Sequence, residues 1–169
     1  FLEVRCMGDR AKQVIGFDNW KGFTELRPED GAPDPRVNKV PGGYDGGQFR
    51  EMLLDAIKVF DADRLAPHKP RILLVDGPIE ETIPRWVVEN PGLRISLLHV
   101  DCDLYAPTKM GLEHLWPRVV RGGCVVLDDY GVRPWEGESR AVDEFFLWED
   151  VRPERFGWTG CPGAVVWKE

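Results

Sequence analysis

Long apolar runs are missing from this chain. None approaches the ~20 residues that a membrane-spanning helix needs, and no basic stretch followed by an apolar one opens the sequence as a secretory signal would, so no membrane partner is expected. A basic surplus is missing as well. The 22 Lys and Arg are outnumbered by 29 Asp and Glu, giving a formal charge of −7 and a pI near 5.1. Such a surface repels a nucleic-acid backbone, and no nucleic-acid partner is expected. Cysteine is sparse and scattered: Cys6, Cys102, Cys124 and Cys161 include no C-x-x-C pair. This argues against a zinc site or a disulfide framework and for reduced thiols in a cytoplasmic protein. Internal repeats and low-complexity tails are absent too. The 169 residues, 43% of them hydrophobic, suffice for one α/β domain with a real core.

The stretch 95–129 organises what is present. It reads ISLLHVDCDLY, an amphipathic segment, a Gly122-Gly123 turn, and CVVLDD. Two apolar runs of strand length thus end in carboxylates, Asp101 and Asp103 after the first and Asp128 and Asp129 after the second. Between them, Leu112, Leu115, Trp116 and Val119 recur at helical period, predicting a helix over 108–120. Strand, helix and strand with short joints make a crossover unit, which places the strands side by side and parallel. Their acidic ends then share the sheet edge at which open α/β sheets bind ligands.

Upstream, residues 1–12 could be the end of a helix stopped near Gly8. Residues 14–17 read as a buried strand closed by Asp18, either a ribose-binding acid or a turn former before Asn19. Residues 23–47 hold Pro28, Pro33, Pro35, Pro41 and several glycines and keep no period, so they predict a long loop, either a lid or a surface excursion. Arg36, Lys39 and Tyr44 are its notable side chains. Residues 48–60 predict a helix burying Phe49, Met52, Leu53, Ala56, Ile57 and Phe60. A strand over 72–75 is broken by Asp76-Gly77-Pro78. Thr82-Ile83-Pro84 then opens a helix with Pro84 in its first turn.

Downstream, Ser139 is an N-cap candidate for a helix burying Val142, Phe145 and Phe146. Residues 155–158 and 164–167 predict an antiparallel pair at the far edge of the sheet. Most of the seven tryptophans are expected in the core or in a pocket wall.

Three carboxylates at one strand edge repel one another unless a cation sits between them, and an all-oxygen set suits a hard ion such as Mg²⁺. Capping and turn formation are the bland alternative. His99, two residues before Asp101, reads better as a satisfied near-core histidine than as a ligand. A DxD and a later DD also occur in haloacid-dehalogenase-type phosphatases, and a DxD in metal-dependent glycosyltransferases. Both fit poorly, because here the acids are only one crossover apart and the chain is short.

The run LLHVDCDLYAPTKMGLEHLWPRVVRGGCVVLDDYG, followed by ESRAVDEFF, closely resembles the macrocin O-methyltransferase (TylF-like) family of S-adenosylmethionine- and Mg²⁺-dependent enzymes. The likeness extends back through VIGFDNWKGF and LVDGPIEETIP. It implies a Rossmann-like class I methyltransferase sheet, mostly parallel with an antiparallel C-terminal strand pair, and transfer of a methyl group to a hydroxyl of a sugar or other natural-product small molecule. Asp101, Asp128 and Asp129 match the Mg²⁺ ligands, and Asp101 also matches the general base. Asp18 matches the acid that holds the cofactor ribose; Gly77, Ile79 and Glu80 match the adenine-side loop. Loop 23–47 falls where the family closes over substrate. Against the family, the sequence lacks the strand and glycine-rich loop that precede the Asp18 strand, and it opens without an initiator methionine. It is therefore expected to be an N-terminally truncated fragment, with a homo-oligomer left open. A metal-dependent hydrolase using Asp101 as nucleophile and a degenerate, non-catalytic methyltransferase-like domain are the alternatives.

Overall fold

The structure, a computed structural model, describes residues 12–64, 66–147 and 151–169. The helix end expected before Lys12 lies outside them. In chain order come β1 (Val14–Asp18), α1 (Gly47–Ala62), β2 (Ile72–Asp76), α2 (Ile79–Glu89) and β3 (Ile95–Val100). Then follow α3 (Tyr105–Leu115), β4 (Val119–Leu127), α4 (Glu136–Phe146), β5 (Glu154–Arg155) and β6 (Ala164–Trp167). Among the described residues, no helix is long and apolar enough to cross a membrane.

The expected crossover is present. β3 and β4 are parallel neighbours, and β6 runs antiparallel to both β4 and β5, giving the order β3-β4-β6-β5. Its core joins Leu98 and Val100 of β3 to Leu112 and Leu115 of α3, Val125 and Leu127 of β4, Val142 and Phe146 of α4, and Val166 of β6. Only one face of β3 is covered, since Leu97 remains 48% exposed. β1 and β2 form a separate parallel pair in which Asp18 stands opposite Asp76. Ile57 and Phe60 of α1 pack on Ile72 as a second, smaller core. The sheet is thus divided in two, and the strand that the family resemblance implies before β1 has no counterpart among the described residues.

A cavity of about 1420 Å³ is lined by every residue of β1 and every residue of β3. This exceeds the ~300–1,000 Å³ of ordinary ligand pockets. The size follows from two strands that each carry a ladder on one side only.

Several element boundaries differ from expectation. α3 begins at Tyr105 rather than at 108 and stops at Leu115, because Pro117 turns the chain into a single 3-10 turn, Trp116–Arg118. β4 already pairs at Val119, opposite Ile95, so the Gly122-Gly123 step lies inside the strand as an irregularity, with Gly122 at φ 75°. α2 starts at Ile79, which places Pro84 inside the helix. Ser139 is not a cap. It sits within α4, where its hydroxyl accepts the N–H of Gly131 at 2.8 Å.

The apolar face of α1 is only half used. Phe49 and Met52 are 54% and 66% exposed because the two-stranded pair beneath them is too narrow to cover the helix. Trp116 and Trp135 are buried as expected, whereas Trp158 and Trp167 are exposed.

Candidate active site

Loop 23–47 keeps no helical or strand period, yet it is not a free excursion. Two single 3-10 turns, Pro28–Asp30 and Pro35–Val37, and an Asp34–Lys39 bridge give it internal structure. Two buried charges fasten it to the body. Asp30 accepts the N–H of Arg27 at 2.8 Å and, across the molecule, that of Tyr105 at 2.6 Å. This caps the first turn of α3, whose own N-cap residue, Leu104, offers no side-chain acceptor. Lys39 is 1% exposed, and its ammonium donates to the carbonyls of Asp30 and Pro134 and to Glu136 Oε2. Phe23, Tyr44 and Trp135 meet as an aromatic trio with ring centroids 5.5–5.9 Å apart.

The acids converge at the C-terminal ends of β3 and β4. Ligand-capable atoms lie within 4.8 Å of one another in three overlapping groups: His99, Asp101 and Asp128; Asp101, Asp103 and Asp129; and Asp128, Asp129 and Cys161. Asp101, Asp128 and Asp129 are therefore mutual neighbours by pairs, although no one of these groups contains all three. Burial raises the Asp101 carboxyl, and the charge of Asp128 adds to the effect. Asp103, held at φ 60°, is pushed up to about 8 by burial and by the charge of Asp129, to which it is hydrogen-bonded. Burial also raises Asp129.

Behind this edge, Glu138 is fully buried. Its Oε1 accepts the N–H of Asp129 at 3.0 Å while, among the described residues, Oε2 has no hydrogen-bond partner. Burial pushes it up to about 8. Tyr44 lines the cavity together with Asp103, and its hydroxyl is raised by burial and by the charges of Asp103 and Asp129.

His99 departs from expectation. It is exposed rather than near-core, since alternation along β3 turns Leu98 and Val100 inward and leaves Leu97 and His99 outward. Its Nε2 lies 3.2 Å from Asp128 Oδ1. On the other oxygen of Asp128, Oδ2, the Cys161 thiol donates at 2.8 Å, and this bond pushes the thiol up to about 12. Cys102 and Cys161 are free thiols.

Asp18, Ile79 and Glu80 line the same cavity as Asp101 and Asp103. Asp18 Oδ1 accepts the N–H of Trp20 at 2.6 Å, so it is a turn former whatever else it binds. The N–H of Gly77, at φ 131°, donates to the Asp18 carbonyl at 2.9 Å and sets the β2–α2 turn beside that acid. Ile79 and Glu80 open α2, where amide N–H groups have no intrahelical acceptors. Sequence reasoning missed Glu138 and Asp30 as site builders. Neither carries a local signal, because their partners are 9 and 75 positions away.

Comparison with known proteins gives a consistent set of relatives. Residues 50–153 match the family described as macrocin-O-methyltransferase (TylF). A tetracenomycin-C rhamnosyl 4'-O-methyltransferase from Streptomyces olivaceus is 27% identical over 129 residues, covering 76% of this chain and 46% of that protein. A mycinamicin III 3''-O-methyltransferase from Micromonospora griseorubida is 26% identical, covering 72% and 45% respectively. The chain thus spans about half the length of these curated relatives. Among solved structures, a calicheamicin methyltransferase superposes with a TM-score of 0.82 at 26% identity, over 92% of this chain and 60% of that one.

Proposed function

Because the chain belongs to the macrocin-O-methyltransferase (TylF) family, we propose that it carries the catalytic edge of an S-adenosylmethionine- and Mg²⁺-dependent O-methyltransferase acting on a hydroxyl of a sugar or sugar-bearing natural product. One observation carries the reading: a single cavity borders both Asp18, Ile79 and Glu80 on one side and Asp101 and Asp103 on the other. A methyl donor held by the first group and an acceptor held by the second would then open on the same cavity.

The donor chemistry fits a hard divalent cation. Several carboxylates are gathered, and burial with mutual repulsion raises three of them, a strain that a cation relieves. Asp101, Asp128 and Asp129 would hold it. Asp18 would take ribose hydroxyls, and Ile79 and Glu80 would offer the amides at the start of α2, beside Gly77. When bound, the cofactor supplies an electrophilic methyl group and the cation supplies counter-charge for the acceptor oxygen. The chain's own task is proton removal and positioning. Asp101 would accept the hydroxyl proton on a carboxylate oxygen. Phe23 and Tyr44, backed by the buried Trp135, wall the acceptor side with aromatic faces suited to the C–H face of a sugar ring, so loop 23–47 acts as the substrate cover.

The deciding experiment is calorimetric titration of S-adenosylhomocysteine into the folded chain with and without Mg²⁺, followed by a methyl-transfer assay on sugar-bearing acceptors. Binding and transfer are expected. A folded chain that binds no cofactor product, or that releases phosphate from phosphomonoesters instead, overturns the reading.

A further inference from the structure

Resting on the reading that Asp101, Asp128 and Asp129 hold a divalent cation, we propose that Glu138 is a positioning residue for that site. Its buried side chain fixes the backbone from which Asp128 and Asp129 reach the ion, without itself touching the ion. The β3–β4 ladder closes with the Asp128 N–H on the Val100 carbonyl at 2.9 Å. The next amide, that of Asp129, lies beyond the ladder and donates to Glu138 Oε1 at 3.0 Å. One residue further along α4, the Ser139 hydroxyl takes the N–H of Gly131 at 2.8 Å. The first turn of α4 is thus a bracket that grips the chain on alternate residues just past the acidic pair. From the other side, the N–H of Gly163 holds the carbonyls of Leu127 and Asp128 at 2.9 and 2.8 Å.

The bracket is closely seated. At Gly137 a Cβ would stand 2.7 Å from the Tyr105 nitrogen, so the start of α4 lies directly against the turn that follows Asp103. The Glu138 carboxylate also faces the end of β3, where its charge, after burial, raises the Cys102 thiol between Asp101 and Asp103. Packing alone does not account for a carboxylate in this position. Glu138 is fully buried, and among the described residues its Oε2 has no hydrogen-bond partner. A polar atom buried in that state destabilises the chain, and a methionine of similar size would pack there without it. What methionine lacks is an acceptor for the Asp129 N–H, and supplying that acceptor is the task of the buried acid.

The test is calorimetric titration of Mg²⁺ into the 169-residue chain and into Glu138→Met, Glu138→Gln and Val142→Ala. Glu138→Met keeps the volume and withdraws the acceptor, and a loss of Mg²⁺ affinity of roughly tenfold or more is expected. Glu138→Gln still offers an oxygen to Asp129 and is expected to bind close to wild type. Val142→Ala shortens a buried side chain of the same helix, away from the edge, and is expected to lose stability but not Mg²⁺ affinity. An unchanged affinity in Glu138→Met, or an equal loss in Glu138→Gln or Val142→Ala, overturns the positioning role alone. Should Glu138→Met fail to fold, Ser139→Ala removes the neighbouring anchor on Gly131. A severalfold loss is expected there, and an unchanged affinity overturns the bracket. A folded wild type that binds no Mg²⁺ overturns the metal reading of the edge, and this role with it.

Discussion

The carboxylate of Asp30 and the backbone amide of Tyr105 are joined by a 2.6 Å hydrogen bond that spans 75 positions of sequence. A proline-rich loop thereby supplies the cap of the helix that follows the DxD. The start of α3, and with it the placement of Asp101 and Asp103, depends on a side chain that no local pattern predicts.

Removing that cap is expected to be costly. Asp30→Ala leaves the amides of Arg27 and Tyr105 without their acceptor, and a loss of about 2 kcal/mol in denaturant-measured stability is expected. Gly137→Ala should reproduce part of the effect from the opposite wall. A Cβ there would stand 2.1 Å from Asp30 Oδ1 and 2.7 Å from the Tyr105 nitrogen, and overpacking of this kind costs about 1–3 kcal/mol.

Lys39 should be a pin rather than a charge of the site. Lys39→Met keeps the buried stem but withdraws the donor from the carbonyls of Asp30 and Pro134. Limited proteolysis within 23–47 is expected to accelerate, with a stability loss of about 1–3 kcal/mol. Unchanged cleavage would show that the Asp30 contacts and the aromatic trio hold the loop without Lys39.

The acidic edge should make the metal-free chain less stable as pH rises. Glu138 sits near 8 in the folded chain, held there mainly by burial, against 4.5 as its ordinary value. Between those values the folded state binds more protons than the unfolded state, so stability falls with increasing pH. Asp103, also near 8, acts in the same direction. Melting temperatures recorded from pH 5 to 8 should therefore decline, and Glu138→Gln should flatten the decline.

Asp101→Asn should separate chemistry from folding. If Asp101 takes the acceptor proton, methyl transfer is expected to fall by about 10²–10⁴-fold, while the thermal midpoint holds or rises as a repelling charge leaves the cluster. Substantial residual transfer would remove Asp101 from the base role.

The sequence was most legible where periodicity and end chemistry agree. Leu112 and Leu115 are buried on α3 as their spacing predicts, Trp116 and Val119 are buried from a 3-10 turn and from β4, and the strands ending at Asp101 and Asp128 are parallel neighbours. Its failures have physical causes. His99 was misplaced because β3 looks continuously apolar while only one of its faces is covered. Phe49 and Met52 were assigned to a core that the β1–β2 pair is too narrow to provide. Ser139 resembles a cap, but α4 starts at Glu136 and the Ser139 hydroxyl accepts the N–H of Gly131 instead. Long-range pairings such as Asp30 with Tyr105 leave no trace in local pattern.

The division of the sheet also bears on how the chain melts. Among the described residues, the Ile57–Phe60–Ile72 cluster shares no ladder with the larger core, and α2 meets β1 through the edge-on contact of Phe17 with Trp86. Cooperativity should therefore be incomplete. The van't Hoff enthalpy of thermal unfolding is expected to fall below the calorimetric one, with amides of β1 and β2 exchanging with solvent before those of β4 and β6.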